Sequence, residues 1–284
     1  MQSSLIRARS NADLGHATKR ISDILISLVL ILLFAPLMLF SVLLVILSSP
    51  GPLFYMQKRV GRNGEAFSII KFRTMTVGAD KCGPSVTSAD DVRITPVGRF
   101  MRRTKLDELP QLFNVLRGDM SLVGPRPQVP RFVDEFHSDL KDVVLSVPPG
   151  VTGITALCFR NEEKMLEQID DRERYYIDHI MPVKLKLDAW YVRNRRLSAD
   201  LFLLAATACL LSYPPLRSMF VRTGGDFGER MANGILGRYL AFCGGNDFPD
   251  VVLPGAFSPT ELTWSSSDDR SAASGAVVRV GGGD

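Results

Sequence analysis

The sequence predicts a helix-rich α+β fold, in which an N-terminal re-entrant membrane helix-break-helix and interfacial amphipathic helices accompany a small cytoplasmic domain. Residues 24–47 form an apolar run of about 24 residues that carries no charge and contains Pro36. Residues 53–72 contain two short extended stretches, whereas apolar side chains recur at helical spacing from residue 109 onward. A few strands among many helices, with 46% hydrophobic residues to fill a core, indicate the α+β class.

Overall charge and cysteine content exclude some functional classes. The formal net charge is only +4 over 284 residues, so charge alone implies no nucleic-acid partner. The cysteines are far apart and form no C-x-x-C pair, which indicates reduced thiols facing the cytoplasm. The scattered histidines argue against a zinc centre and against a serine-histidine triad. The residues concerned are Cys82, Cys158, Cys209, Cys243, His16, His137 and His179.

The apolar run at residues 24–47 is long enough to reach across a hydrocarbon core of ~30 Å as a straight helix. Basic residues flank the run on both sides, namely Lys19, Arg20, Lys58, Arg59 and Arg62. Since basic flanks prefer the cytoplasmic side, both ends are expected on that side of the membrane. Pro36 lacks a backbone donor, so Ala35 and Pro36 are the predicted membrane break of a helix that dips in and returns.

A kinked single span is the alternative to re-entry. Ala35 offers no hydroxyl for the backbone groups freed at a break, and Ser27 and Ser41 lie about two turns away. A cleaved signal peptide is disfavoured because the apolar run is unusually long and is followed by a turn-forming sequence, Ser48-Ser49-Pro50-Gly51-Pro52.

Residues 53–57 and 66–72 are predicted to form a small hairpin around Gly61-Arg62-Asn63-Gly64. The next segment, residues 78–92, is rich in glycine and small polar residues, which is typical of a mobile loop.

Asp107 and Glu108 are the leading candidates for catalysis. Apolar residues recur at helical spacing over residues 109–116, and Pro110 suits a first helical turn, so both acids are expected at a helix N-terminus. The free N–H groups and partial positive charge of that end favour ionised carboxylates and bound phosphates. A simple helix cap is the alternative role of Asp107.

Basic residues surround these acids in the sequence, namely Arg99, Arg102, Arg103, Lys105, Arg117 and Arg126. Such a cluster suits a phosphate-bearing substrate, because a carboxylate can attack phosphorus when cations and a metal neutralise the developing charge. Arg126 lies between Pro125 and Pro127, which limits the entropy that its guanidinium loses on binding an anion. Arg126 is therefore the best candidate for a phosphate clamp, and a salt bridge that fixes a loop is its alternative role.

The C-terminal part of the chain is predicted to be helical up to residue 211. Residues 161–180 and 182–194 mix apolar and charged side chains, as packed or interfacial helices do, and residues 197–211 are too short to span a membrane. The chain is therefore divided into an N-terminal segment (1–18), the membrane helix (19–50), the main domain (51–212) and a largely flexible extension (213–284).

Short motifs follow one another in order along residues 17–210: Lys19-Arg20-x-x-Asp23, Pro36, Gly51-Pro52, Gln57-x-Arg59-x-Gly61, Lys71-Phe72-Arg73-Thr74-Met75, Leu106 to Pro127, Pro149-Gly150-x-Thr152-Gly153, Tyr191-x-x-Asn194 and Asp200-Leu201. With these motifs the chain resembles the small monotopic phosphoglycosyl transferases. These bacterial sugar transferases initiate the assembly of surface glycans on polyprenyl phosphate.

The resemblance implies roles for individual residues. Asp107 matches the family's nucleophile, which forms a covalent phosphosugar intermediate, and Glu108 matches the glutamate that helps to bind Mg²⁺. Arg102, Arg126 and Lys71 match residues that contact phosphate or shape its site. The main domain is accordingly expected to be catalytic.

Two positions depart from the family pattern. Ala35 stands where members often carry a serine. Residues 156–163 read Ala-Leu-Cys-Phe-Arg-Asn-Glu-Glu where many members have Gln-x-Asn-Gly-Arg, and Arg160 is matched to the phosphate-binding arginine of that pattern. Sugar recognition is therefore expected to differ.

The resemblance implies an enzyme of the bacterial inner membrane with its catalytic domain on the cytoplasmic face. It would transfer a sugar-1-phosphate from a UDP-sugar to polyprenyl (undecaprenyl) phosphate, release UMP and use Mg²⁺. The lipid product would enter exopolysaccharide or lipopolysaccharide synthesis through downstream glycosyltransferases. Two alternatives remain, a membrane-bound glycosyltransferase that releases UDP and a non-enzymatic membrane-anchored scaffold.

Overall fold

The computed structural model describes residues 2–79, 87, 91–136, 138–159, 162, 166, 169 and 171–212. Over these residues the chain forms helices and two small two-stranded sheets, which confirms the helix-rich α+β class. The predicted extension at residues 213–284, most of the predicted loop at residues 78–92 and Arg160 lie outside the described residues.

Helix α1 (Gln2–Ser48) runs through the whole apolar segment with Pro36 inside it. The helical backbone continues through Ala35 and Pro36, and a bend there that returns the chain to the same membrane face stays a prediction. A single proline removes only one backbone donor, and membrane helices tolerate this loss. Within the described part of the chain, His16–Ser48 is the helical stretch that is long and apolar enough to cross a membrane.

The basic start of the apolar segment is attached to the domain that follows. The guanidinium of Arg20 donates to the carbonyl oxygens of Val115 and Leu116 at 2.5 and 2.9 Å. The carboxylate of Asp23 is buried and accepts from the hydroxyl of Ser121 at 2.7 Å. These bonds fix the N-terminal flank of the membrane segment to the folded domain.

The end of the apolar segment is attached to the same domain. The buried guanidinium of Arg73 donates to the carbonyl oxygens of Ser49 at 2.6 Å and Pro50 at 3.0 Å, just after α1 ends. Gly51 has φ of 130°, and a Cβ there would lie 2.0 Å from Nη1 of Arg73, so only glycine fits. Both flanks of the membrane segment therefore contact one folded unit.

Strands β1 (Phe54–Val60) and β2 (Ala66–Phe72) form the predicted antiparallel hairpin, joined by a 3-10 turn at Arg62–Gly64. A second ladder, which the sequence analysis did not predict, pairs β3 (Ser121–Val123) with β4 (Gly150–Thr152) in parallel. Each of these strands has only three residues, too few for an alternating pattern to mark them.

Helices supply the rest of the domain. They are α2 (Pro96–Thr104), α3 (Gln111–Arg117), α4 (Pro130–Asp134), α5 (Ser138–Leu145), α6 (Ile154–Cys158), α7 (Arg172–Tyr175), a π-helical turn (Tyr176–Ile180), α8 (Met181–Asn194) and α9 (Leu197–Ser212). Helix α8 lies in the main core, where Leu187, Trp190 and Tyr191 are buried. Of the two roles predicted for residues 182–194, the structure thus supports the packed helix and not the interfacial one.

A smaller hydrophobic core joins α1 to the segment just before Asp107 and Glu108. Val45 of α1 packs in one cluster with Phe72 of β2, Met101 of α2 and Leu106. Burial of these side chains stabilises the docking of α1, at about 25 cal/mol per Å² of apolar surface removed from water. On its outer surface, α2 exposes Phe100. Placement of any of these helices at a membrane interface stays a prediction.

Candidate active site

The two candidate acids lie in a tight turn between two helices. Helix α2 ends at Thr104, the C-cap residue Lys105 has a left-handed φ of 59°, and a 3-10 turn (Leu106–Glu108) follows at once. Pro110 occupies the N-cap position of α3, and no side-chain capping hydrogen bond is formed there. Asp107 is therefore not the cap of the helix, and the acids precede the helix N-terminus instead of occupying it.

Asp107 is a buried acid whose surroundings do not satisfy it. Asp107 is only 6% exposed, and its Oδ1 has no hydrogen-bond partner among the described residues. Burial, followed by the negative charge of Glu108, raises the pKa of Asp107 to about 6, whereas the cation of Lys71 opposes this rise. A buried acceptor without a donor is uncommon in folded proteins and indicates a functional position.

Glu108 has the opposite environment. Its carboxylate accepts a hydrogen bond from Nζ of Lys71 at 2.9 Å. Burial alone would raise the pKa of Glu108, but the cations of Lys71, Lys105 and Arg126 together hold this pKa well below its ordinary value. Burial lowers the pKa of Lys71, and the charge of Glu108 opposes that shift. Glu108 is thus a permanent anion beside an acid that titrates near neutral pH.

A small cleft, open to solvent, lies beside the acids. It is lined by Arg59, Ile69, Lys71, Glu108, Gln111, Arg126, Pro127, Gly150 and Val151. The structure therefore brings together three of the predicted residues, Lys71, Glu108 and Arg126. Asp107 does not itself line the cleft but lies next to it, because its chain neighbour Glu108 forms part of the wall.

The loop that carries Arg126 is held on several sides. The carbonyl oxygen of Pro125 accepts from the N–H of Gly150 at 2.8 Å, and the carbonyl oxygen of Pro127 accepts from Arg59 at 3.1 Å. A Cβ on Gly150 would lie 2.1 Å from the nitrogen of Gly124, so the two loops pack backbone against backbone. The turn at residues 148–153 thus contributes Gly150 and Val151 to a wall of the same cleft.

Asp188 supports the Arg126 loop from the protein interior. Prolines flank Arg126, so its N–H is the only backbone donor of residues 125–127, and this N–H donates to Asp188. The buried carboxylate also accepts from the hydroxyl of Thr155 at 2.9 Å. Burial raises the pKa of Asp188 and these hydrogen bonds oppose part of the rise, so that the resulting pKa is about 7. The sequence analysis did not find Asp188, because nothing near it in the chain marks it as a partner of Arg126.

The other predicted cations have mixed positions. Arg102, in the last turn of α2, is half-buried, and its charge lowers the pKa of Asp107, although it does not line the cleft. Arg99, Arg103 and Arg117 are exposed and belong to the surface instead of the site. Arg59 and Gln111 line the cleft but were not predicted as site residues. The alternation Gln57-x-Arg59 was the available signal for Arg59, since it places both side chains on one strand face.

The two acids also lie where the predicted magnesium ion would bind. Among the described residues, no group of three or more His, Cys, Asp or Glu side chains could hold a metal ion by itself. Mg²⁺, however, commonly binds one or two carboxylates together with substrate phosphates and water. The orphaned Oδ1 of Asp107 and the neighbouring Glu108 fit such a shared site. Phosphate oxygens of a substrate would then complete the ligand set.

The sequence is similar to known bacterial proteins over most of its length. The family model described as "Bacterial sugar transferase" matches residues 14–212. A protein of Aeromonas hydrophila named UDP-N-acetylgalactosamine-undecaprenyl-phosphate N-acetylgalactosaminephosphotransferase is 37% identical over 191 residues, which cover 66% of this chain and 42% of that protein. This chain therefore spans less than half the length of that relative.

Two shorter relatives are covered more fully. The UDP-glucose:undecaprenyl-phosphate glucose-1-phosphate transferase of Caulobacter vibrioides is 41% identical over 175 residues, or 60% of this chain and 65% of that protein. The exopolysaccharide production protein ExoY of Sinorhizobium fredii is 34% identical over 209 residues, or 68% of this chain and 85% of that protein.

Proposed function

The chain belongs to the bacterial sugar transferase family, and on this premise we propose that it transfers a sugar-1-phosphate from a UDP-sugar to undecaprenyl phosphate. The observation that carries the proposal is Asp107, a buried carboxylate with an unpartnered oxygen next to a cleft lined by cations. The names of the relatives from Aeromonas and Caulobacter, which are undecaprenyl-phosphate sugar phosphotransferases, support the same reaction class.

Asp107 is the nucleophile in this proposal. One carboxylate oxygen attacks the phosphorus that carries the sugar, the bond from that phosphorus to the oxygen of the nucleoside phosphate breaks, and UMP leaves with the electron pair. The enzyme then carries an aspartyl phosphosugar. A phosphate oxygen of the lipid attacks the same phosphorus in the second step, which releases Asp107 as a carboxylate and yields the lipid diphosphosugar.

Lys71 and Arg126 act on the charge of the phosphates during both steps. Both line the cleft, and Lys71 lies near enough to Asp107 to lower its pKa. Fixed cations in a site of low dielectric stabilise the phosphoryl transition state without reorganisation. Glu108, together with phosphate oxygens of the substrate, would hold Mg²⁺, which supplies additional positive charge at the phosphates when bound.

The membrane segment gives the enzyme access to its lipid substrate. The bonds of Arg20 to α3 and of Arg73 to Ser49 attach both flanks of the segment to one domain, which supports a re-entrant helix with both ends on the cytoplasmic face of the inner membrane. Proline can bend a helix without ending it, so a continuous helix through Pro36 is compatible with re-entry. A soluble nucleotide sugar and a lipid phosphate then meet at one interfacial site.

The test is the change Asp107→Asn in the full chain, assayed in membranes that contain undecaprenyl phosphate. The amide cannot attack phosphorus, so UMP release and the covalent adduct, detected by mass spectrometry, should both disappear. Asp134→Asn, which alters an exposed aspartate on α4, is the matched control and should behave like the unaltered chain. Retained turnover in Asp107→Asn would remove Asp107 from the nucleophile role.

The released nucleotide separates this proposal from its alternatives. UMP is the expected product, whereas UDP would identify a glycosyltransferase that moves only the sugar. A scaffold without activity would release neither nucleotide, and Asp107→Asn would then complement a deletion strain normally. The relatives are named for different sugars, so incubation with a panel of UDP-sugars identifies the donor. The likeness to ExoY favours a surface polysaccharide as the final product.

A further inference from the structure

The hairpin presents one face to the cleft over most of its length. In the β1–β2 ladder Tyr55 lies opposite Lys71, and Gln57 lies opposite Ile69. Residues directly opposite each other, and residues two apart on one strand, share a face of the sheet. Exposure alternates accordingly along β1, where Gln57 and Arg59 are half-buried and Lys58 is exposed. Arg59 is thus on the face that carries Lys71, and both side chains line the cleft.

Arg59 lies at the far end of this face from the acids. Four residues of β1 separate it from Tyr55, the partner of Lys71, which corresponds to about 13 Å along the strand. Lys71 contacts Glu108 at one end of the cleft, and Arg59 donates to the carbonyl oxygen of Pro127 at the other. The cleft therefore extends along the hairpin, with the acids near one end and a guanidinium near the other.

The guanidinium of Arg59 is fixed but not satisfied. Nη2 donates to Oε1 of Gln57 at 2.6 Å, which holds the head group back toward the middle of the cleft. Nε is shielded from solvent and has no acceptor among the described residues. Burial, and next the charge of Arg126, lowers the pKa of Arg59 to about 10. An arginine held in this way in a cleft is a ready donor for an anion.

The charge of the cleft is also unbalanced. Among the described residues that line it, the cations are Arg59, Lys71 and Arg126, and the anion is Glu108. The charge of Glu108 acts on all three cations, but it is a single carboxylate facing them in the described lining. Like charges held close together in a partly buried cleft are unfavourable unless an anion binds between them. A ligand with more than one negative charge along its length fits this arrangement.

We infer that Arg59 is a further substrate-binding residue, which holds the phosphate that leaves with the nucleoside, while Lys71 faces the phosphate that Asp107 attacks. This assignment rests on the proposed function, since it orders the two phosphates of a UDP-sugar along the cleft. Gln57 positions Arg59 for this role through its side-chain oxygen. Arg126, between them, is within reach of both phosphates.

The experiment uses the full chain in lipid nanodiscs and compares Arg59→Gln, Arg59→Lys and the control Lys58→Gln, whose residue lies on the opposite strand face. UMP binding is measured directly by calorimetry. Two half-reactions are then measured separately, namely formation of the adduct from a UDP-sugar, and transfer from the adduct, freed of UMP, to undecaprenyl phosphate. Melting curves establish that each variant is folded.

Arg59→Gln should weaken UMP binding about 10- to 100-fold, as expected for loss of charge-assisted hydrogen bonds. It should slow adduct formation and also the transfer to undecaprenyl phosphate, because in-line displacement brings the lipid phosphate to the side of the phosphorus from which UMP leaves. Arg59→Lys keeps the charge without the planar fork and should weaken UMP binding about three- to tenfold. Lys58→Gln should change none of these quantities.

The inference is overturned if Arg59→Gln binds UMP like the unaltered chain, or if Arg59→Lys weakens UMP binding as much as Arg59→Gln does, which marks a purely structural role. If Arg59→Gln does not fold, Arg59→Lys decides, and unchanged UMP binding in that variant rejects the inference. Failure of the proposed function is distinguishable, because the unaltered chain would then form no adduct and release no UMP. UMP binding that depends on Arg59 would still support the phosphate assignment in that case.

Discussion

Two adjacent carboxyl groups, Asp107 and Glu108, differ because their partners differ. Glu108 receives a hydrogen bond from Lys71 and is surrounded by cations, which stabilise its charge. Asp107 is buried next to that charge and has an unpartnered oxygen, so its own ionisation is disfavoured. Environments that separate the pKa values of neighbouring acids are typical of catalytic pairs.

The raised pKa of Asp107 predicts a pH limit for the reaction. A carboxylate must be ionised to attack phosphorus, and the pKa of Asp107 is about 6. We therefore expect kcat/KM for the UDP-sugar to fall about tenfold per pH unit below that value and to level off above it. A pH-rate profile in membranes measures this, and a limb placed near pH 4 instead would contradict the proposed environment of Asp107.

The raised pKa of Asp107 also predicts that this residue lowers the stability of the folded protein near neutral pH. The folded-state pKa of Asp107 is raised from its ordinary 3.8 to about 6, so its favourable contribution is complete at pH values below 3.8 and is lost as the pH rises through about 6. At pH 7.5 the ionised, buried carboxylate destabilises the fold. Asp107→Asn should therefore increase the free energy of unfolding by about 1–3 kcal/mol.

Denaturant unfolding at two pH values measures this effect. The stabilisation should be present at pH 7.5 and should shrink toward zero at pH 4, where the native carboxyl group is also neutral. Asp134→Asn alters an exposed acid and should change stability little at either pH. Destabilisation by Asp107→Asn at pH 7.5 would contradict this prediction, because it would show that hydrogen bonds or cations stabilise the ionised carboxylate.

At the scale of elements, a helix side chain completes the free edge of the hairpin. Strand β2 pairs with β1 on one side only. On its other side, Oδ1 of the buried Asn114 accepts from the N–H of Ile70 at 3.0 Å, and Nδ2 donates to the carbonyl oxygen of Ser68 at 2.8 Å. This amide therefore connects the strand that carries Lys71 to the helix that follows the two acids.

Asn114→Ala should destabilise the domain by about 2–4 kcal/mol, because it leaves a buried strand donor and acceptor without partners. It should also lower activity, since Lys71 and Glu108 lie on the two elements that the amide joins. Arg117→Ala, at an exposed position of the same helix, is the matched control and should stay within about 0.5 kcal/mol. Equal stability of the two variants in urea would reject this role for Asn114.

At the scale of the whole molecule, one domain holds both flanks of the membrane segment. Beyond the bonds of Arg20 and Arg73, Nζ of Lys19 lies 2.6 Å from the carboxylate of Asp200 at the start of α9. The pairing joins α1, just before its apolar run, to α9, the last helix of the described residues. A helix that crossed the bilayer would place its two flanks on opposite sides, which these contacts to a single domain disfavour.

A topology measurement checks this arrangement. Single cysteines at His16 and Arg62, both exposed positions, are introduced into a chain without other cysteines. An impermeant maleimide should label both from the cytoplasmic face in inverted vesicles and neither in intact spheroplasts. A cysteine at Leu33, in the apolar segment, should stay unlabelled in both. Labelling of the two flanks from opposite faces would establish a single span.

The sequence by itself determined the features that depend on local pattern. The uncharged run at residues 24–47, the alternation of the hairpin and the spacing of apolar residues after Pro110 are all visible in short windows, because side-chain periodicity follows backbone geometry. The pair Asp107 and Glu108 was found in the same way, as acids in an arginine-rich stretch. The helix continues through Pro36 because a local rule about proline does not determine where a long helix ends, and re-entry at that point stays a prediction.

Tertiary structure alone decided which distant residues share the site and what their charges do. It placed Arg59 in the cleft, set Asp188 against the backbone of Arg126, and moved Arg103 to the surface. It also separated the pKa values of two neighbouring acids. Burial and electrostatic coupling depend on distances across the fold, and the order of residues along the chain does not contain those distances.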